Sequence, residues 1–140
     1  MRNNREKILI VDDVEENVLL LKHLLQKDYE IVTALEGEQA LELAEKNPVP
    51  DLILLDIMMP DKNGYVVIRK LKTNRLTRNI PVIFLTAMGD IQDETKGLAL
   101  GAADYIIKPI KPPILKARVR TQIQLRRAQN HIQNLYDATI

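Results

Sequence analysis

The sequence predicts an α/β fold, a doubly wound parallel sheet of five strands with helices on both faces. Three observations carry this reading. Short apolar runs, β-branched or leucine-rich, alternate with helix-length stretches whose apolar residues recur at three and four spacing. The runs are apolar throughout, as strands are when both faces of a sheet are covered. Breakers mark the boundaries at Asn47-Pro48-Val49-Pro50, Pro60 to Gly64, Asn79-Ile80-Pro81 and Lys108-Pro109. Repeated strand–helix units need crossover connections, so the strands run parallel.

In order, strands are expected at Lys7–Val11, Glu30–Ala34, Leu52–Leu55, Val82–Thr86 and Tyr105–Ile107. The first intervening stretch carries Val14, Val18, Leu21 and Leu25 at helical spacing, and the second Gly37, Ala40, Leu41 and Ala44. The third carries Val67, Ile68 and Leu71, and the fourth Ile91, Thr95, Leu98 and Ala102. The last stretch is longer than its neighbours. Beyond Pro113 it holds no glycine or proline, and good helix formers dominate. Leu115, Val119 and Ile123 are set to pack on the sheet. Leu125, Ala128, Ile132 and Leu135 follow three-four-three spacing, a heptad seam of about one and a half repeats. A coiled coil and a solvated helix end both fit that seam. The expected organisation is one domain over residues 1–124 and a helical extension over 125–140, a coiled coil or a linker to an output domain beyond this sequence.

A chain of 140 residues is one ordinary domain. It has no cysteine, which excludes disulfides and thiolate metal sites. No apolar run approaches the roughly 20 residues that span a bilayer, and the charged start does not read as a signal peptide. The expected location is the cytoplasm, with no membrane partner. Residues 111–140 carry six bases and one acid, and residues 1–110 carry fourteen bases and eighteen acids, so a mildly acidic body bears a basic tail. Aromatics that would stack on bases are not interleaved there, so the tail reads as a solvated helix face, and nucleic acid is not an expected partner of this chain alone.

Chemistry in an open parallel sheet collects beyond the carboxyl ends of its strands. Asp12 and Asp13 follow the first strand, Asp56 the third, Thr86 ends the fourth, and Lys108 follows the fifth. Singly, each has an ordinary explanation: a helix N-cap for Asp12 or Asp13, a strand residue for Thr86, a surface lysine for Lys108. Jointly, with the first strand central, they converge on one crevice. Three close carboxylates repel, and a hard divalent cation removes that repulsion. Mg²⁺ favours one or two carboxylates, waters and a phosphate oxygen. Lys108 and Thr86 suit phosphoryl oxygens, and a remaining aspartate can form an aspartyl phosphate. The set points to phosphoryl transfer onto Asp56.

The motifs then show a family likeness. The chain resembles the receiver domain of bacterial two-component response regulators. The likeness rests on Ile8-Leu9-Ile10-Val11-Asp12-Asp13 and Asp51-Leu52-Ile53-Leu54-Leu55-Asp56-Ile57-Met58-Met59-Pro60. Asn63-Gly64, Pro81-Val82-Ile83-Phe84-Leu85-Thr86-Ala87 and Gly101-Ala102-Ala103-Asp104-Tyr105-Ile106-Ile107-Lys108-Pro109 follow in the family order, and the likeness covers about residues 5–125. It implies a flavodoxin-like strand order 2-1-3-4-5 with an extended C-terminal helix. It implies that Asp56 accepts the phosphoryl group, that Asp13 binds Mg²⁺ directly with Asp12 acting largely through water, and that the Met58 backbone carbonyl is a further ligand. It makes Thr86 the switch hydroxyl, Tyr105 the aromatic that turns inward with it, and Lys108 the site lysine, with a cis bond to Pro109.

Two departures stand out. Ala103 sits where many relatives carry a second acid, which removes part of a salt-bridged dimer face used by one DNA-binding subgroup. Met58 and Met88, two residues beyond Asp56 and Thr86, offer no group to orient a hydrolytic water, so self-dephosphorylation is expected to be slow. His23 and His131 lack ligand spacing and read as structural, and the Met58-Met59 pair reads as loop packing.

The cycle so implied takes a phosphoryl group from a sensor histidine kinase or phosphotransfer protein. It shifts Thr86 and the Ala87–Asp90 loop, where Gly89 permits backbone change, and re-sets a face made of the fourth helix, fifth strand and fifth helix. A downstream output domain or protein, or a homodimer through that face or through the C-terminal helix, would read the change. The chain is then a switch and not an enzyme, beyond self-phosphorylation and self-dephosphorylation. Three rivals remain. A phosphatase of the haloacid dehalogenase type needs a second Asp two residues after the nucleophile, where Met58 stands. A flavin module would meet repulsion from Asp12-Asp13-Val14-Glu15-Glu16. A non-phosphorylated docking module would not need the full acidic set.

Overall fold

A computed structural model describes residues 5–59, 63–87 and 89–139 of the chain, without the side chain of the last. Five strands and five helices alternate: β1 (Lys7–Val11), α1 (Glu15–Leu25), β2 (Glu30–Ala34), α2 (Gly37–Glu45), β3 (Leu52–Asp56), α3 (Gly64–Thr73), β4 (Val82–Ala87), α4 (Ile91–Ala99), β5 (Asp104–Lys108) and α5 (Pro112–Thr139). The sheet is parallel throughout, in the order β2-β1-β3-β4-β5. Strands and order agree with the sequence reading. Each of the last three strands runs one residue further at its C-terminal end, and β5 also starts one residue earlier.

Alternation along each strand divides the core into two layers. Ile8, Ile10, Leu52, Leu54, Ile83, Leu85 and Ile106 face α1 and α5, which contribute Val18, Leu21, Leu25, Leu115, Val119 and Ile123. Leu9, Val11, Ile53, Leu55, Val82 and Phe84 face the opposite layer, where α2 and α3 contribute Ala40, Ala44, Val67, Ile68 and Leu71. Leu115 and Val119 are fully buried and Ile123 nearly so, as the helical spacing predicts.

The fourth helix differs from expectation. Ile91 and Leu98 are 72% and 43% exposed, Thr95 is exposed, and Ala102 lies beyond the helix; the buried residue of α4 is Gly97. A Cβ built on Gly97 would collide with the Phe84 ring, so α4 meets the sheet by backbone against an aromatic ring and not by an apolar stripe. Val14 also leaves the expected core: it is the N-cap of α1 and is 45% exposed.

α5 continues past the sheet. Arg127 forms an ion pair with Glu6 at 2.6 Å, and Arg126 Nη1 donates to the Asn79 carbonyl at 3.1 Å. Leu125, Ile132 and Leu135 are exposed. The peptide bonds Lys108-Pro109 and Asn47-Pro48 are both cis, the first as the resemblance implies.

Candidate functional site

Sheet register assembles the site. Val11 of β1 pairs with Leu55 of β3, so Asp12 and Asp56 come abreast at the same edge. Asp56 pairs with Leu85 of β4, which puts Thr86 one step beyond, and Ala87 pairs with Lys108 of β5. Asp12, Asp56 and Thr86 are buried at 0%, 3% and 2% exposure, while Asp13 is exposed. One carboxylate oxygen from each of Asp12, Asp13 and Asp56 lies within 4.8 Å of the others. Lys108 Nζ is 3.3 Å from Asp56 Oδ2 and 3.9 Å from Asp12 Oδ2.

Backbone donors fix the two buried acids. Val14 N–H donates to Asp12 Oδ1 at 3.0 Å, and Met58 N–H to Asp56 Oδ1 at 3.1 Å. Asp12 is therefore no N-cap; it holds the loop that enters α1. Burial pushes the Asp12 carboxyl above its usual range; the bond from Val14 opposes this, the charge of Asp56 adds to it, and Lys108 and Asn17 act against it. Asp12 Oδ2 and Thr86 Oγ1 are buried without a hydrogen-bond partner among the described residues. An orphaned carboxylate oxygen is costly unless something neutralises it. Three acids against one lysine leave the pocket negative, and an all-oxygen donor set fits a hard cation.

Two neighbours shape the loop after β3. Gly64 N–H donates to the Ile57 carbonyl at 2.8 Å, and a Cβ on Gly64 would lie 2.5 Å from Ile57 Cα and 2.7 Å from the Asp56 carbonyl oxygen. Asn63 caps α3 by accepting from Val66 N–H at 3.1 Å. Met58 is 68% exposed while Met59 is buried, so only the second methionine packs as the sequence reading expects. Met88 and residues 60–62 lie outside the described residues.

Tyr105 stands apart from the acids. Its ring stacks on Phe84 at 5.7 Å between centroids, and the Glu94 carboxylate beside its hydroxyl raises its pKa. Asp104 is held by Arg118 of the same chain at 2.8 Å. The sequence reading did not single out Asn17, the Tyr65–Asp93 hydrogen bond joining α3 to α4, or Lys96, which lies 4.3 Å over the Tyr65 ring. Local spacing does not mark the two contacts of Tyr65, because its partners Asp93 and Lys96 are distant in sequence, and Asn17 reaches Asp12 only through the turn into α1.

The sequence matches the family model of the response regulator receiver domain over residues 8–120. The chain belongs to the response regulator receiver domain family. The receiver is 47% identical over 116 residues to the response regulator PleD of Caulobacter vibrioides, which covers 82% of this chain and 25% of that protein. It is 45% identical over 130 residues to a Vibrio cholerae protein named as a probable cyclic di-GMP phosphodiesterase, covering 93% of this chain and 29% of that one. The receiver thus spans well under a third of these two relatives. Among solved structures, a response regulator receiver domain protein from Clostridium thermocellum, 28% identical, gives a TM-score of 0.81 over 89% of this chain and 98% of its own. Vibrio cholerae chemotaxis protein CheY4, 29% identical, gives 0.78 over 84% and 98%. The chain is a signal-transduction receiver of the phosphorelay type, which removes the phosphatase and flavin readings. Among the described residues no helix is long and apolar enough to cross a membrane.

Proposed function

We propose that this receiver takes a phosphoryl group from the phosphohistidine of a sensor histidine kinase or phosphotransfer protein onto Asp56. The observation that carries this is Lys108 Nζ at 3.3 Å from Asp56 Oδ2, beside a three-acid cluster with an orphaned Asp12 oxygen. An Asp56 oxygen attacks phosphorus in line. The O–P bond forms as the N–P bond breaks, and the donor imidazole leaves with the bonding pair. Lys108 neutralises phosphoryl oxygen charge, and the Met58 N–H keeps the carboxylate oriented. Asp12, Asp13, Asp56 and the Met58 carbonyl would hold Mg²⁺, which supplies further charge neutralisation when bound.

The Thr86 hydroxyl, buried and without a hydrogen-bond partner among the described residues, then has an acceptor in the new phosphoryl group. Its movement would be felt by Tyr105 and by the exposed residues Ile91, Leu98, Ile107 and Ile114 of α4, β5 and α5, the face a downstream domain, protein or second copy would read. Met58 places no polar side chain beside Asp56, so the phosphoprotein should persist; a half-life of seconds would count against that. Intact-mass measurement after acetyl phosphate with a Mg²⁺ salt tests the assignment. The parent should gain one phosphoryl mass and Asp56→Asn none. No gain by the parent, or an equal gain by both, overturns it.

A further inference from the structure

We propose that a second site, at the end of the sheet opposite Asp56, binds a small phosphate-bearing anion. The strands are parallel, so Pro81 and Ala103, just before β4 and β5, lie at the edge away from the acids. There α5 overhangs the body and leaves a cleft of about 580 Å³ lined by Lys72, Arg78 and Arg126, by the amides of Gln122 and Gln129, and by Ala103. A volume of this order suits a nucleotide-sized ligand.

The lining holds three cations and no carboxylate. Lys72 is half-buried, and two of its three donors go to the carbonyls of Arg78 at 3.1 Å and Ile80 at 2.8 Å. Burial, and then the charge of Arg126, hold its pKa below the usual lysine range. Arg126 Nη1 donates to Asn79, but its Nε is buried with no acceptor among the described residues. Glu6 and Asp51, which line a neighbouring cleft together with Arg126, are engaged by Arg127 and by the Lys7 N–H at 2.9 Å, and Asp137 accepts from Gln133 Nε2 at 2.9 Å. With three cations and no carboxylate among the described lining residues, the cleft itself is short of one anion. A phosphate offers the acceptors and the charge, the amides can read the rest of the ligand, and the bound anion would brace α5 against α3.

Inorganic pyrophosphate and adenosine diphosphate, titrated calorimetrically into the full chain without divalent metal, test this. The expected result is saturable binding tighter than about 1 mM that shifts the side-chain resonances of Arg78 and Arg126. Ala103→Asp places a carboxylate in the cleft and should weaken it at least about tenfold, a loss of about 1.4 kcal/mol. Arg78→Gln should weaken it in the same sense, and serves if the first variant fails to fold. Lys108→Ala, at the other end of the sheet, should leave binding unchanged. No saturable binding, binding indifferent to Ala103→Asp and Arg78→Gln, loss with Lys108→Ala, or tighter binding of a glutamate-rich peptide than of either phosphate compound would each overturn the proposal. Better binding of the nucleotide than of pyrophosphate would assign the amides to a base.

Discussion

At Gly64 the methyl group of an alanine would have to share space with the Ile57 backbone and the Asp56 carbonyl oxygen, which cannot step aside as a flexible side chain can. Gly64→Ala should cost about 1–3 kcal/mol of stability by overpacking and slow phosphoryl uptake at Asp56, because the loop that presents Met58 N–H must shift. Urea unfolding and phosphorylation kinetics measure the two effects. Gly89 is the contrasting case. It has φ of +84° and, among the described residues other than its chain neighbours, nothing within 4 Å of a built Cβ, so Gly89→Ala should cost only the conformational term of about 1–2 kcal/mol. The acids themselves were legible in the sequence because each ends or follows a strand, and register in a parallel sheet converts that position into proximity. Asp12 shows where legibility stops. Its loop was visible, but its bond to Val14 and its orphaned Oδ2 depend on how the chain turns into α1.

Among elements, α5 divides in two by what it touches. Leu115 is fully buried under the sheet, and Leu115→Ala should cost about 2–5 kcal/mol. Leu135 is 55% exposed, so Leu135→Ala should change unfolding free energy by no more than about 0.5 kcal/mol in dilute solution. A concentration-dependent loss at Leu135 would instead report pairing of the seam. The packing of Leu115, Val119 and Ile123 could be read from spacing alone; the polar face of Arg126, Asn130 and Gln133 that overhangs the body could not, since it has no apolar period. α4 was misread for a related reason. Apolar periodicity identifies a stripe only when the stripe is what packs, and here a glycine packs and the isoleucine faces solvent.

For the whole molecule, the body and the tail helix are linked by ionic contacts as well as by the core. The Arg127 guanidinium hydrogen-bonded to Glu6 holds that carboxyl below its usual range, against burial, which opposes it. A group whose pKa falls on folding stabilises above its unfolded value of about 4.3 and loses that contribution as pH drops through the folded value. Arg127→Ala should therefore cost about 0.2–1 kcal/mol near neutrality, with the difference from the parent closing below about pH 4. Paired urea titrations at the two pH values read this. A gap that widened on acidification would contradict it.

Phe84 touches three regions at once: its ring stacks on Tyr105, sits in the core beside Leu55, and occupies the space a side chain at position 97 would fill. α4 therefore already stands as near to β4 as two backbones separated by one aromatic ring can come. Whatever arrives at the far end of the sheet, this helix has no room to tighten. Its remaining freedoms are to lift or to slide, and a signal that leaves through it takes one of those two forms.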